Sequence, residues 1–366
     1  MKVGWDMRFS FVGEDRGERF QWFSQGLREA MGGNGHAFSG DPDEARLVMN
    51  FFPAQEPSWF RRKAQAVFVV GITEMEPPFD RPIPQGYPYL VRSLSNLLIS
   101  LVDRGRPLPD AHFLTPEQGH YVVEGQEDES AYFREIYGRI EPLATSDLVI
   151  DNVFHTDLPE ELWKGDEATE AIGRAGAKLD ALDLLPAPFP LEDILTEREL
   201  RHLKRLYGIG GLSYGNISAR HEGNRFWMSA SGVDKSNLTE IGRDIIMVKD
   251  YDPETRSMIL SIPPDVEPRR VSVDAIEHWL IYREHPDVGA ILHVHAWMDG
   301  VPSTEFNYPC GTYEMGEAVA EIVRQADEPA RAVVGLKNHG LTITGKSLDE
   351  IFERVEGRLH QRVPME

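Results

Sequence analysis

Cysteine is nearly missing from these 366 residues: Cys310 is the only one. A single thiol cannot close an intramolecular disulfide, and it excludes a Cys-rich zinc or iron–sulfur site. Cys310 itself reads as a small buried hydrophobe rather than a nucleophile. Long apolar runs are missing too. The longest, around Ala66–Ile72 and Leu97–Val102, fall far short of the ~20 residues that span a bilayer. The first residues, Met1 to Arg8, show no apolar stretch after their positive charge, which is not the pattern of a secretory signal. The expected location is cytoplasmic, with no membrane partner. Basic residues are scarce as well: 38 Lys plus Arg stand against 60 Asp plus Glu, a formal charge of −22. That balance argues against a nucleic-acid partner, which requires a basic footprint. No Gly-x-Gly-x-x-Gly follows the first strand, and no internal repeat or low-complexity tract is visible.

What is present is an ordinary globular composition, 41% hydrophobic and 27% charged, long enough for about two domains. The clearest break is Leu184-Leu-Pro-Ala-Pro-Phe-Pro-Leu191, where alternating prolines stiffen the chain. It suggests an α/β domain of unknown role over 1–185 and a second domain over 190–366. In the first, Met1–Val12, Ala45–Phe52, Ala64–Ile72 and Asp147–Phe154 read as strands. Phe20–Met31, Tyr89–Arg104 and Ser130–Ile140 read as helices, with Ser130 as an N-cap and Leu90, Leu94, Leu97 and Leu101 as one helical stripe. Alternating strands and helices predict an α/β layered domain with a parallel sheet.

The second domain opens with a helix over Glu197–Tyr207, capped by Thr196 and stopped by Gly208. A hairpin of Ile217–Arg220 and Arg225–Ala230 follows, then a strand over Ile245–Asp250. Ser272 reads as the N-cap of a helix reaching Glu284, with Ile276, Trp279 and Leu280 as its apolar face. Val288–Ala296, Arg331–Lys337 and Leu341–Thr344 read as strands, Glu314–Arg324 and Leu348–His360 as helices.

The chemistry lies in Ala290-Ile-Leu-His-Val-His-Ala296. Residues i and i+2 of a strand share a face, so His293 and His295 present two imidazoles side by side. His339, in the turn Asn338-His-Gly340, supplies a third. Three imidazoles with an open position suit a catalytic divalent ion, although His-x-His alone is equally compatible with two ordinary histidines. His36, His112, His120 and His202 have no paired spacing and read as surface or structural. Gly215-Asn-Ile-Ser218, after the Gly-rich turn Gly208-Ile-Gly-Gly211, and Ser229-Ala-Ser-Gly232 offer amide and hydroxyl donors for an anion, yet each is also ordinary turn chemistry.

Taken in order, Gly215-Asn-Ile-Ser218, Ser229-Ala-Ser-Gly232, Ser272-Val-Asp274, His293-Val-His295 and Asn338-His-Gly340 resemble the class II aldolase/adducin family over about 192–360. The resemblance implies an α/β/α sandwich with a mostly antiparallel sheet. It also implies a homo-oligomer, usually a tetramer, acting on a small-molecule substrate. His293, His295 and His339 would bind Zn2+ or another divalent metal such as Mn2+, Fe2+ or Co2+. Asp274 would be the catalytic carboxylate. Asn216, Ser231, Gly232 and Ser272 would hold the anionic group of the substrate.

The implied activity is retro-aldol cleavage of a small hydroxylated carbonyl or sugar-phosphate-like compound through a metal-bound enediolate. Epimerisation, decarboxylation, Fe(II) oxygenation or a non-enzymatic adducin-like scaffold role are the alternatives. Three departures stand out, one of them the large first domain, which lies outside the resemblance. Val273 replaces the second of two serines that often precede the acidic residue, a lost donor costing roughly 1.5–3 kcal/mol toward a charged group. The stretch Ala296–Cys310 is shorter than its family counterpart. Tyr308 and Tyr313 lie nearby as candidates for an acid contributed across subunits in some members.

Overall fold

The run Leu97-Leu-Ile-Ser-Leu-Val102 is buried at every position and forms a strand, not the end of a helix. The computed structural model describes residues 7–63, 67–117, 119–185, 191–201 and 214–365. Helix α2 (Pro82–Arg92) stops early, at a turn in which Leu94 takes φ 54°, and β5 (Leu97–Val102) begins. This corrects the helix expected over Tyr89–Arg104. Leucines spaced by three and four fit a helical stripe, but a strand covered on both faces is apolar at every position and hides its own period.

The described residues divide into two compact units, 7–145 with 191–201, and 146–185 with 214–364. The first is built on a seven-stranded sheet of order β2-β1-β3-β4-β5-β6-β7. β1 (Arg8–Val12), β2 (Ala37–Phe38), β3 (Leu47–Phe51), β4 (Phe68–Met75) and β5 pair in parallel. β6 (Asp110–Leu114) and β7 (His120–Val123) add an antiparallel edge. α1 (Glu18–Gly33) and α3 (Glu129–Thr145) pack on each other through Phe23 and Phe133, ring centroids 5.4 Å apart. The α3 cap is Asp128, whose Oδ1 accepts from the Ala131 amide; Ser130 lies inside the helix.

One face of this sheet carries a polar row. Thr73, Ser100 and His112 are register partners on β4, β5 and β6. All are buried, and Thr73 Oγ1, Ser100 Oγ and His112 Nε2 have no hydrogen-bond partner among the described residues. His112 Nδ1 lies 3.0 Å from His120 Nε2, with the rings stacked. These two histidines, unpaired by sequence spacing, are thus paired across a hairpin.

The second unit holds an eight-stranded mixed sheet, order β14-β15-β13-β9-β10-β11-β12-β8. It uses β9 (Asn216–Glu222), β10 (Arg225–Ser229), β11 (Ile245–Asp252), β12 (Ser257–Ser261), β13 (Ala290–Val294), β14 (Val333–Leu336) and β15 (Gly340–Gly345). Their mutual pairings are antiparallel, and β8 (Asp151–His155) joins β12 in parallel. β8 and α4 (Glu167–Ala181) therefore belong to this unit although they precede the Pro-rich stretch. Backbone pairing with β12 decides that, and no local composition signals it. α4 starts from a capping box of Asp166 and Thr169, and Asp166 Oδ2 also accepts from Trp227 Nε1 at 2.9 Å.

α5 (Ala275–Glu284), α6 (Tyr313–Gln325) and α7 (Leu348–Val355) complete the unit. Asp274, not Ser272, occupies the N-cap position of α5; the Ser272 carbonyl accepts from the Ala275 amide. α7 ends before the expected His360, and Gly357 follows with φ 78°. Thr196 does open a helix: its amide and hydroxyl donate to Glu199 Oε2. The remainder of that helix, the turn Gly208–Gly211, His202 and the prolines of 186–190 lie outside the described residues. Among the described residues no helix is long and apolar enough to cross a membrane.

Candidate metal centre

β13 is a central strand, flanked by β9 and β15; it carries His293, and His295 follows directly after its last residue, Val294. The β14–β15 turn delivers His339. That turn needs Asn338 at φ 58°, a conformation that asparagine tolerates better than most residues. Gly215 has φ 75°, and a Cβ there would lie 2.3 Å from the His293 carbonyl oxygen, so only glycine lets β9 approach the His293 backbone. Each of the three imidazoles offers a ligand nitrogen, and these atoms lie within 4.8 Å of one another.

The donor set fits a divalent ion. His293 Nδ1 donates to the Leu341 carbonyl at 3.1 Å, which leaves the Nε2 lone pair free. His293 Nε2 is buried without a hydrogen-bond partner among the described residues. Nε2 of His295 and Nε2 of His339 face each other at 3.1 Å. Two nitrogens held by one tetrahedral ion at ~2.0–2.1 Å lie ~3.3 Å apart. Burial holds His293 down to about 4 and His295 well below its ordinary value, with neighbouring His339 and His293 adding to the effect at His295. Both rings are therefore neutral near pH 7, the form that ligates metal.

Asp274 sits beside this cluster at the start of α5, buried. Asn216 Nδ2 donates to Asp274 Oδ2 at 2.8 Å, so that amide supports the carboxylate. Burial raises the Asp274 pKa; His339, the Gly311 amide, Asn216 and Lys235 oppose the rise. Ser231, Gly232 and Ser272 are half-buried. A β-bridge between Ala230 and Val271 brings Ser231 and Ser272 onto adjacent segments, and Gly232 takes φ 69°.

Several residues here were not legible as functional. Lys235 is buried, its ammonium lowered to about 8 by burial and supported by Asp274 and Asp234. Glu277 and His278 are wholly buried on α5, whose apolar face alone was expected to be covered. Cys310 is half-buried with Sγ 3.5 Å from His339 Nε2, at the rim of the cluster rather than in the core. Tyr313 packs against Tyr251, ring centroids 6.1 Å apart.

Comparison with known proteins bears on the same stretch. Residues 199–304 match the family model described as Class II Aldolase and Adducin N-terminal domain, a stretch that includes His293 and His295 and ends before His339. The chain is 30% identical over 169 residues to the L-fuculose phosphate aldolase of Methanocaldococcus jannaschii, covering 42% of this chain and 82% of that one. It is 25% identical over 174 residues to the methylthioribulose-1-phosphate dehydratase of Klebsiella pneumoniae, covering 39% and 79%. Among solved structures, the L-fuculose-1-phosphate aldolase from Thermus thermophilus overlaps 50% of this chain and 85% of its own, with a TM-score of 0.33 and 20% identity. The matched stretch, and a 30% identical relative covered over four-fifths of its length, show that this chain belongs to the class II aldolase/adducin family.

Proposed function

We propose that the chain is a divalent-metal-dependent carbon–carbon lyase acting on a small hydroxylated carbonyl compound. The carrying observation is the convergence of three ligand nitrogens within 4.8 Å, two of them on rings that are neutral near pH 7, beside the buried carboxyl of Asp274. A divalent ion held by His293, His295 and His339 supplies Lewis-acid polarisation of the substrate oxygens. The residues do the rest. Asp274 takes the proton of the β-hydroxyl as the carbon–carbon bond breaks and returns a proton to carbon. Its raised pKa suits a group that must both accept and release a proton. Asn216 fixes the orientation of that carboxyl. Ser231, Gly232 and Ser272 bind the anionic end of the substrate, and buried Lys235 adds a positive charge to the pocket. Association into a homo-oligomer belongs to the same reading and is checked by mass in solution.

A second reading, dehydration, is favoured by the dehydratase relatives. Both reactions need a proton moved next to a polarised carbonyl; they differ in the bond that leaves. Incubation with 2-keto polyols and their 1-phosphates separates them: two smaller carbonyl products mean cleavage, and loss of one water means dehydration. Elemental analysis comes first. One divalent ion per chain, lost in His339→Ala, supports the metal centre; no ion after reconstitution returns the chain to a scaffold role.

A further inference from the structure

Two extended segments meet where the anionic end of the substrate was placed. Just past the end of β10, Ala230 forms an antiparallel bridge with Val271. Both are buried, so their side chains take the inner face. The next opposed pair is Ser231 and Arg270, joined by the Ser231 amide donating to the Arg270 carbonyl at 2.9 Å. Opposed residues of an antiparallel pair share a face, and so do residues i and i+2 of one strand. Arg270 therefore shares a face with Ser231 across the pair and with Ser272 along its own segment. Val273, the next residue, has no hydroxyl to add.

This segment is held in place from several sides. The Arg269 amide donates to the Gly242 carbonyl at 3.3 Å, and the Val271 amide donates to Asn152 Oδ1 of β8 at 3.0 Å. The Arg269 side chain braces the facing loop, its Nη1 donating to the Gly232 carbonyl at 3.1 Å. The space beside Gly232 is open: a Cβ there would meet nothing within 4 Å. Arg270 is exposed, and its guanidinium makes no hydrogen bond or ion pair among the described residues. The chain carries a formal charge of −22, yet none of its described carboxylates engages this cation. Asp234, the acid of the facing loop, is occupied by the amide and hydroxyl of Ser236.

We propose that Arg270 is a specificity-determining residue: its guanidinium closes over the anionic group held by Ser231, Gly232 and Ser272 and selects a phosphomonoester over a carboxylate. The inference rests on the reading of those three residues as the anionic end of the pocket. A guanidinium presents paired N–H donors that match two oxygens of a phosphate. A phosphoryl group has three terminal oxygens, enough for the fork and for donors on both segments at once, whereas a carboxylate has two. Attraction to a fixed cation also grows with the charge of the ligand, which favours a dianion.

The test uses the full-length chain treated with a chelator, so that no bound ion can take the anion. Inorganic phosphate is titrated calorimetrically at about pH 8, where it is a dianion. Arg270→Gln should bind it at least ~10-fold more weakly than the wild type, the usual scale for a lost charge-assisted bond. Arg270→Lys, which keeps the charge without the fork, should fall between. The wild-type preference for phosphate over acetate should shrink in Arg270→Gln. Arg225→Gln removes the same charge at the other end of β10 and should stay within about threefold of the wild type. Arg270 is exposed, so unchanged urea midpoints will show that the variants fold. Equal phosphate affinity in Arg270→Gln and the wild type overturns the proposal, and so does an equal loss in Arg225→Gln, which would mark a general charge effect. If Ser272→Ala weakens phosphate and Arg270→Gln does not, the anionic end stands and the role of Arg270 is removed. A wild type with no phosphate affinity overturns the anionic-end reading itself, and the role of Arg270 falls with it.

Discussion

Nε2 of His295 and Nε2 of His339 point at one another across 3.1 Å, although 44 positions separate them in the chain. Two acceptor nitrogens at that distance gain nothing unless a proton or a cation lies between them. Removing either ring should therefore remove the ion. His339→Ala and His295→Ala should each lower bound divalent metal from one per chain to near zero by elemental mass spectrometry. Metal retained at the wild-type level in both would end the assignment.

Asp274→Asn keeps the shape at the start of α5 but cannot carry a proton. Turnover should fall by ~10²–10⁴, the usual worth of a positioned acid or base, while bound metal stays unchanged. A loss below tenfold would show that another group moves the proton.

Gly215→Ala attacks the site through the backbone. The position has φ 75°, and the new Cβ would meet the His293 carbonyl oxygen at 2.3 Å. Strain and clash together should cost at least ~2 kcal/mol, read as a shift in the urea midpoint, with metal lost in parallel. An unshifted midpoint would mean that β9 moves freely away from β13.

Thr73→Val tests the polar row of the first unit. The Thr73 hydroxyl is buried without a partner, so its replacement by a methyl group of similar shape should be neutral or stabilising, by up to ~1–3 kcal/mol. A clear loss in denaturant midpoint would show that the row encloses a hydrogen-bonded water.

His112 and His120 give the pH prediction. Burial lowers both to about 4, and at His112 the neighbouring His120 adds to the effect. The unfolded chain titrates near ~6.5, so it binds more protons than the folded chain between the two values. Stability from this pair is therefore complete above about pH 6.5, declines as pH falls toward 4, and is constant below. NMR titration should place the His112 midpoint near pH 4; a midpoint above 6 would contradict it.

Local order made much of this protein legible before its fold was known. The i, i+2 rule puts His293 and His295 on one face wherever they form a strand, and Asn338-His-Gly340 reads as a turn from its residue types alone. Alternation of apolar runs with amphipathic segments pointed to parallel pairing in the first unit, which β1, β3 and β4 show, while β6 and β7 pair antiparallel. These features depend on neighbours within a few positions, and the sequence displays those neighbours directly.

Long-range packing settled the rest. Leu97–Val102 became a strand because a sheet buries it on both sides, a fact absent from its own spacing. β8 joined the second sheet through hydrogen bonds to a strand about a hundred positions away. Glu277, His278 and Lys235 look like solvated residues in the sequence, and the fold buries all three. Burial of a charge depends on what packs over it from other elements. Residue spacing was therefore enough to say which imidazoles could meet, and it took the packing of α5 over β9 and β15 to bury the carboxyls of Asp274 and Glu277 near them.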